Sequence, residues 1–116
     1  MKRLELLAAA AFGFGLLAAT GTASALTIGF SQVGSEGDWR PAFSQSMKDE
    51  AAKRGIDLKF SDAQGKEENQ LKAVRSFIAQ KVDAIIIAPV VVTGWDAVLK
   101  EAKQAKIPVF LADRDV

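Results

Sequence analysis

The chain has 116 residues, 15 Lys and Arg against 14 Asp and Glu, a formal net charge of +1, and neither His nor Cys. The missing histidine excludes a Ser-His-Asp triad and an H-E-x-x-H zinc site, and the missing cysteine excludes disulfides, thiol redox chemistry and zinc–cysteine sites. Nucleic-acid binding is disfavoured, because phosphate recognition needs a surplus of Lys and Arg on one face and here the two signs are interspersed. We expect no metal, no cofactor and no nucleic-acid partner.

The N-terminus has the three parts of a secretory signal. Basic residues precede an apolar run at 6–19, and small residues ending in Ala-Ser-Ala at 23–25 follow it. The run is too short to span a bilayer comfortably. We therefore predict that residues 1–25 are a signal peptide cleaved after Ala25, the alternative being a retained anchor. Removal of this segment leaves a neutral mature chain.

After residue 25 the pattern alternates between the periods of strands and helices. In chain order it predicts strands at 26–33, 56–60, 82–90 and 107–112, and helices at 41–54, 66–80 and 93–105. Asp38 is the expected N-cap of the first helix, Pro41 lies in its first turn, and Gly55 closes it. The apolar run VDAIIIAPV predicts a third strand that is buried on both faces.

The order βαβαβαβ predicts an α/β fold with a parallel sheet, right-handed crossovers and helices on both faces. Open parallel sheets of this kind bind ligands at the carboxyl ends of their strands. The polar and aromatic residues of the sequence gather at those ends. They are Gln32, Ser35, Glu36, Asp38, Trp39 and Arg40 after the first strand, Asp62 and Gln64 after the second, the run 89–93 after the third, and Asp113 and Arg114 after the fourth.

This set of side chains favours a neutral polyol as the ligand. An indole covers the apolar C–H face of a sugar ring, and carboxylate and guanidinium groups bond pairs of neighbouring hydroxyls. Trp39 supplies the ring, while Glu36, Arg40, Asp113 and Arg114 supply the polar groups. A nucleotide is disfavoured, because the loop GSEG matches neither G-x-G-x-x-G nor a Walker motif and its carboxylates would repel phosphate.

Each of these residues also has a purely structural interpretation. Asp38 is explained equally well as a helix cap, Trp39 as a cover on the first helix, and Asp113 with Arg114 as a surface ion pair. Trp95 follows the third strand, and we expect it to pack against the start of its own helix. The functional interpretation rests on the joint placement of the other residues at one edge of the sheet.

Three stretches resemble the N-terminal lobe of the periplasmic sugar-binding proteins of ABC importers, the ribose/galactose-binding family. These stretches are LTIGFSQVGSEGDWR, ENQLKAVRSFIAQKVDAIIIAPVVVTGW and IPVFLADRDV. The resemblance implies a non-enzymatic periplasmic receptor that passes a monosaccharide to a membrane permease and is a monomer at full length. It also implies sugar contacts from Glu36, Trp39, Arg40, Asp113 and Arg114, with the backbone of Gly37 and Asp38 in the same loop.

The sequence departs from that family in two places. Asp38 stands directly before the tryptophan, where the family pattern has a small residue or glycine. The family has two lobes joined by a hinge, so residues 26–116 are expected to form a partial N-terminal lobe that stops before the hinge and the second lobe.

Functions of other classes remain open on the sequence alone. A sugar-sensing effector domain that is not coupled to transport shares the fold, but the effector domain of a repressor would follow a basic helix-turn-helix segment instead of a signal peptide. A receiver domain would need an acidic pair after the first strand. A glycosidase would have to use Glu36 and Asp113 as its carboxylate pair.

Overall fold

The structure, a computed structural model, describes residues 26–113. The strands are β1 (Thr27–Gln32), β2 (Asp57–Asp62), β3 (Ala84–Ile87) and β4 (Val109–Leu111), and the helices are α1 (Trp39–Lys53), α2 (Glu67–Ala79) and α3 (Asp96–Gln104). The predicted order βαβαβαβ is thereby confirmed for these residues. The predicted signal peptide and Arg114 lie outside them. No helix between residues 26 and 113 has the length and apolar character needed to cross a membrane.

The four strands form one parallel sheet in the order β2-β1-β3-β4. β1 pairs with β2 from Thr27↔Asp57 to Gln32↔Asp62, and with β3 from Ile28↔Ala84 to Ser31↔Ile87. The chain first moves outward from β1 to β2 and then crosses back to β3 on the other side. The strand order therefore reverses between β1 and β3, which is where doubly wound sheets place their ligands.

Helices cover both faces of the sheet, as predicted. The face under α2 and α3 carries the larger cluster of buried residues, which are Val74, Phe77, Val82, Ile85, Ile87, Trp95, Val98 and Ile107. The face under α1 carries a smaller cluster around Phe30, Val33 and Ala88, and Phe43 and Met47 of α1 pack against it.

The prediction that the third strand is buried on both faces is wrong. Ile85 and Ile87 are fully buried towards α2 and α3, whereas Ile86 between them points to the other face and is only partly buried. A single helix, α1, packs on that face within the described residues, and its contacts are with β2 more than with β3. On the neighbouring edge strand β4, Phe110 is 57% exposed. The continuous apolar run thus reflects β propensity, with full burial on one face and partial burial on the other.

The ends of α1 agree with the sequence in part. Gly55 follows the helix with a φ of +69°, a left-handed conformation that glycine adopts without strain. Asp38 occupies the N-cap position, but its side chain makes no capping hydrogen bond and its backbone is helical instead of extended. The carboxylate of Asp38 is consequently not engaged by the first turn of α1.

α2 lies close against the central strand, and a glycine permits this approach. A Cβ placed on Gly29 of β1 would overlap the ring of Phe77 of α2. Because the helix approaches so closely, polar side chains in its first turns reach the carboxyl ends of β1 and β3 beneath the loops.

Candidate functional site

A buried glutamine at the end of β1 holds the start of the loop that follows. Gln32 has no exposed surface, and its Nε2 donates to Ser44 Oγ of α1 at 3.2 Å. Its Oε1 accepts the N–H of Val33 at 3.0 Å. These bonds join the end of β1 to the second turn of α1, so the intervening residues 34–38 form a loop with both ends held.

Glu36 lies inside that loop, folded back over its glycines. A Cβ on Gly34 would overlap the Glu36 carboxylate, and a Cβ on Gly65, which follows β2, would lie 3.7 Å from Glu36 Oε1. The carboxylate thus sits between the loops that follow β1 and β2. It faces Arg40, with 4.0 Å between Glu36 Oε2 and Arg40 Nη1, and the Glu36 side chain remains mostly exposed. Gly37 follows with a φ of +75°, which re-aims the chain into α1.

Trp39 and Arg40 lie side by side at the start of α1. The indole of Trp39 is 50% exposed and stacks on Phe43, with ring centroids 5.8 Å apart and an interplanar angle of 15°. The guanidinium carbon of Arg40 lies 5.3 Å from the Trp39 ring centroid. Arg40 Nε is buried and has no hydrogen-bond partner among residues 26–113. Because Glu36 faces the guanidinium and balances its charge, this corner with its exposed ring suits an uncharged oxygen-rich ligand.

Asp113 lies on the same edge of the sheet, two strands away from this corner. It follows β4 and is exposed, with a left-handed φ of +76° that turns the chain out of the strand. β3 lies between β1 and β4, so the two strand ends are separated by about 10 Å, or two inter-strand spacings. The structure thus groups Glu36 through Arg40 in one corner and places Asp113 across β3 from it. Arg114, the partner predicted for Asp113, lies outside the described residues.

Other polar residues of this edge are engaged within the protein. Asp62 Oδ1 accepts the N–H of Gln64 at 2.8 Å, which closes a tight turn after β2. Trp95 is only 2% exposed, lies in the larger core cluster, and donates from Nε1 to Val91 O at 2.8 Å. The expectation that Trp95 is a packing residue is therefore confirmed.

Sequence reasoning overlooked the contribution of α2 to this edge. Gln70, in its first turns, is fully buried and hydrogen-bonds to the ends of both β1 and β3. The carboxylate of Glu67 lies next to Gly94 in the loop after β3, since a Cβ there would be 2.6 Å from Glu67 Oε1. A signal was available, because the helix that follows β2 must begin at the edge where β2 ends.

The opposite edge of the sheet carries a cavity but no comparable chemistry. The cavity has a volume of about 360 Å³ and is lined by the ends of α2 and α3, including Ile78, Lys81 and Lys106. Its one carboxylate belongs to Asp83, which accepts the N–H of Thr27 at 2.8 Å. Among residues 26–113, no group of three or more carboxylates is placed to hold a metal ion.

The fold and the candidate site together define a class of protein: a parallel α/β domain whose candidate binding residues follow β1 and β4 on either side of the topological switch point. Comparison with known proteins identifies the family. A model described as a periplasmic binding protein domain matches residues 28–116. The chain belongs to this family, as the resemblance in its sequence predicted. It is a family of binding proteins and not of enzymes, so the expectation of a non-enzymatic protein is confirmed.

Individual relatives are similar over most of this chain. The galactofuranose-binding protein YtfQ of Escherichia coli K12 is 59% identical over 115 residues, which are 99% of this chain and 35% of the relative. The arabinose ABC transporter binding protein of Shewanella sp. ANA-3, solved with α- and β-L-arabinofuranose, is 72% identical, with a TM-score of 0.76 over 78% of this chain and 30% of that one. A Mycobacterium smegmatis protein solved with β-D-fucofuranose is 57% identical, with a TM-score of 0.77 over 78% and 30%. The chain spans about a third of the length of these relatives.

Proposed function

We propose that the full-length protein containing this chain is a periplasmic receptor that binds a monosaccharide in its furanose form and delivers it to the permease of an ABC importer. The observation that carries the proposal is the corner after β1, where an exposed indole and a partly exposed arginine paired with Glu36 lie side by side. The relatives named above support the ring form, since galactofuranose, arabinofuranose and fucofuranose are the sugars in their names and titles.

In this proposal the two sides of the site have different roles. Trp39 covers the C–H face of the ring, and Arg40, whose side chain is 20% exposed, donates from the exposed part of its guanidinium to a ring or hydroxyl oxygen. Glu36, near Arg40, accepts from a hydroxyl. Asp113, with Arg114 beside it in sequence, bonds hydroxyls at the far side of the sugar.

The loop backbone completes the proposed site. Gly37 and Asp38 connect Glu36 to Trp39, and the left-handed turn at Gly37 sets the angle between these two side chains. Asp38 makes no capping bond to α1, so its carboxylate is available to a further hydroxyl. Here the departure from the family pattern becomes a proposed determinant of which sugar is preferred.

Titration of the full-length protein with sugars of fixed ring size tests the proposal. 1,4-Anhydro-D-galactitol has a locked five-membered ring, and its 1,5-anhydro isomer has a locked six-membered ring. We expect calorimetry to detect the 1,4 isomer with at least about tenfold tighter binding, a difference of about 1.4 kcal/mol. Equal affinity would refute the furanose preference, and binding of neither isomer, nor of L-arabinose or D-galactose, would refute sugar binding.

Delivery to a permease needs a separate experiment, because a sugar sensor would bind equally well. A strain without the gene should lose uptake of labelled sugar, and the wild-type gene should restore uptake whereas the Trp39→Ala gene should not. Normal uptake with lost transcriptional induction would instead favour the sensing alternative.

Location and domain organisation are part of the proposal. We propose export with cleavage after Ala25, so N-terminal sequencing of the periplasmic protein should begin at Leu26; a membrane-bound chain that begins at Met1 would contradict this. We further propose that residues 26–116 form part of an N-terminal lobe, that a hinged second lobe closes over the sugar, and that the full-length protein is a monomer. Small-angle scattering should detect this closure as a smaller radius of gyration when sugar is added.

A further inference from the structure

Gln70 of α2 is a fully buried polar side chain whose amide is bonded on both sides. Its Nε2 donates to Ala88 O at 2.9 Å and to Ser31 Oγ at 3.1 Å, with a longer contact to Ser31 O at 3.4 Å. Its Oε1 accepts the N–H of Val90 at 2.8 Å. Donor and acceptor are thus both engaged, which fixes the orientation of the amide as well as its position.

These contacts join the two strands that flank the switch point. Ser31 lies at the end of β1, next to the loop that leads to Trp39. Ala88 and Val90 open the loop that follows β3 and runs to Trp95. A backbone bond from Ala88 N–H to Ser31 O, at 2.9 Å, extends the β1–β3 pairing by one step under the same amide. Gln70 is therefore bonded to the ends of both strands at the switch point, beneath the loops that border the proposed sugar site.

The loop after β3 is also held by packing at its two ends, with Val90 against the smaller cluster and Trp95 in the larger one. Trp95 Nε1 bonds to Val91 O within the loop itself, so this contact shapes the loop without tying it to β1. Gly94 has a φ of +85°, a left-handed conformation that glycine adopts without strain, and it turns the chain towards Trp95. The bond from Val90 N–H to Gln70 Oε1 holds the first part of this loop.

We propose that Gln70 is a positioning residue of the sugar site: its amide holds the loop after β3 against the end of β1 and so keeps the loops at this edge in the arrangement that binds sugar. This inference rests on the proposed function for the identity of the ligand, but the positioning itself is a property of the protein without ligand. Gln70 does not touch the sugar. Gln70 acts through the position of the loop after β3. If that loop samples several positions, only the fraction of molecules with the loop in the binding arrangement can bind sugar, and the apparent affinity falls accordingly.

The test compares two buried residues on the same helix in the full-length protein. Gln70→Met keeps the length and volume of the side chain but removes the amide. Val74→Ala, one turn later on α2 and equally buried, weakens the core without removing a hydrogen bond to either strand end. Chemical denaturation first establishes how far each variant is destabilised, and all later measurements are made where both remain folded.

Two measurements then separate positioning from stability. Hydrogen exchange followed by mass spectrometry should show that Gln70→Met raises exchange in the peptide covering residues 88–95 by about tenfold or more relative to Val74→Ala. Titration with 1,4-anhydro-D-galactitol should show about tenfold weaker binding for Gln70→Met and no more than about a twofold change for Val74→Ala. Equal exchange in this peptide, or equal affinity, would overturn the inference.

The exchange measurement stands even if the sugar assay fails. If the wild-type protein binds none of the sugars tested, the proposed function is refuted, while the exchange of residues 88–95 still decides whether Gln70 holds the loop. Should Gln70→Met not fold, Ser31→Ala removes only the contact at Ser31 Oγ. It should give a smaller rise of exchange in the same peptide, about two- to threefold, and the absence of any rise would count against the inference.

Discussion

The loops after β1 and after β3 both lead to a tryptophan at the start of a helix, but one tryptophan is exposed and the other is buried. Trp39 is the first residue of α1, and Trp95 is the N-cap of α3. Trp39 is 50% exposed, whereas Trp95 is buried in the larger core cluster. The indole N–H of Trp95 is satisfied by the carbonyl of Val91.

The difference follows from what lies on each face of the sheet. α3 shares its face with α2, and Trp95 fills the space between these helices and the sheet. α1 has no neighbouring helix within the described residues, so Trp39 stacks on Phe43 of its own helix and stays half exposed. In this fold, the tryptophan at the start of a helix stays accessible to a ligand where no second helix packs beside that helix on the same face of the sheet.

The largest effect that this comparison predicts is on stability, at Trp95. Trp95→Ala removes a buried indole from the larger core and should lower the free energy of unfolding by about 3–5 kcal/mol. Urea denaturation of the full-length protein, followed by circular dichroism, measures the loss. Trp39→Ala, measured in parallel, should lose less than about 1 kcal/mol, because half of its surface is already exposed. Similar losses for the two variants would break the comparison.

The next effect in size is on affinity, at Trp39. Trp39→Ala removes the surface proposed to cover the sugar ring and should weaken sugar binding about tenfold to a hundredfold, or about 1.4–2.7 kcal/mol. Calorimetric titration measures it, and Asp113→Asn on the far side of the site should give a loss of about 1–3 kcal/mol through an unsatisfied polar contact. Full affinity in both variants would mean that the edge is only a solvated corner of the fold.

Arg40 should show opposite effects on stability and binding. Its buried Nε has no partner among the described residues, so Arg40→Met removes an unsatisfied donor and should raise the free energy of unfolding by about 1 kcal/mol after loss of the contacts with Trp39 and Glu36. The same variant should bind sugar more weakly. Thermal melting with and without sugar measures both effects, and a variant that is less stable without ligand would contradict this interpretation of the Nε.

The smallest effect lies at the opposite edge of the sheet and serves as the control. Lys106 follows α3 with a φ of +61°, at a position equivalent to that of Gly55 after α1, where φ is +69°. Lys106→Gly should relieve this left-handed strain and stabilise the protein by about 0.5–1 kcal/mol. Sugar affinity should not change, because the residue is remote from the loops after β1 and β4. A change in affinity would mean that the two edges of the sheet are coupled.

Much of this fold could be predicted from sequence, because period and turn residues are local signals. The strands, the helices and their alternation are confirmed, and Trp95 is buried as expected. The burial of Ile86 could not be predicted, since an apolar run shows that a strand is apolar but not how many helices cover each face. Asp38 has the residue type and position of an N-cap, yet the loop it closes gives it a backbone that does not direct its carboxylate to the helix.

The candidate site divides in the same way. Glu36, Trp39 and Arg40 could be grouped because they are neighbours in sequence, and Asp113 because parallel strands end at one edge. Gln70 could not be found by such reasoning. Its partners at Ser31 and Ala88 are 39 and 18 residues away, and only the close approach of α2 to β1 brings them within reach.

The strand order has a consequence for how the chain is made. β1 is the first strand to leave the ribosome, yet it is central in the sheet, and its second neighbour begins near Asp83, which is 56 residues later. At about 5–20 residues per second, the central strand waits roughly 3–11 s between its synthesis and that of this partner. During that interval the backbone groups on one side of β1 bond to water instead of to β3. A chain that begins to fold during synthesis would therefore have an open edge on β1, which a chaperone or export factor could engage before the native pairing closes.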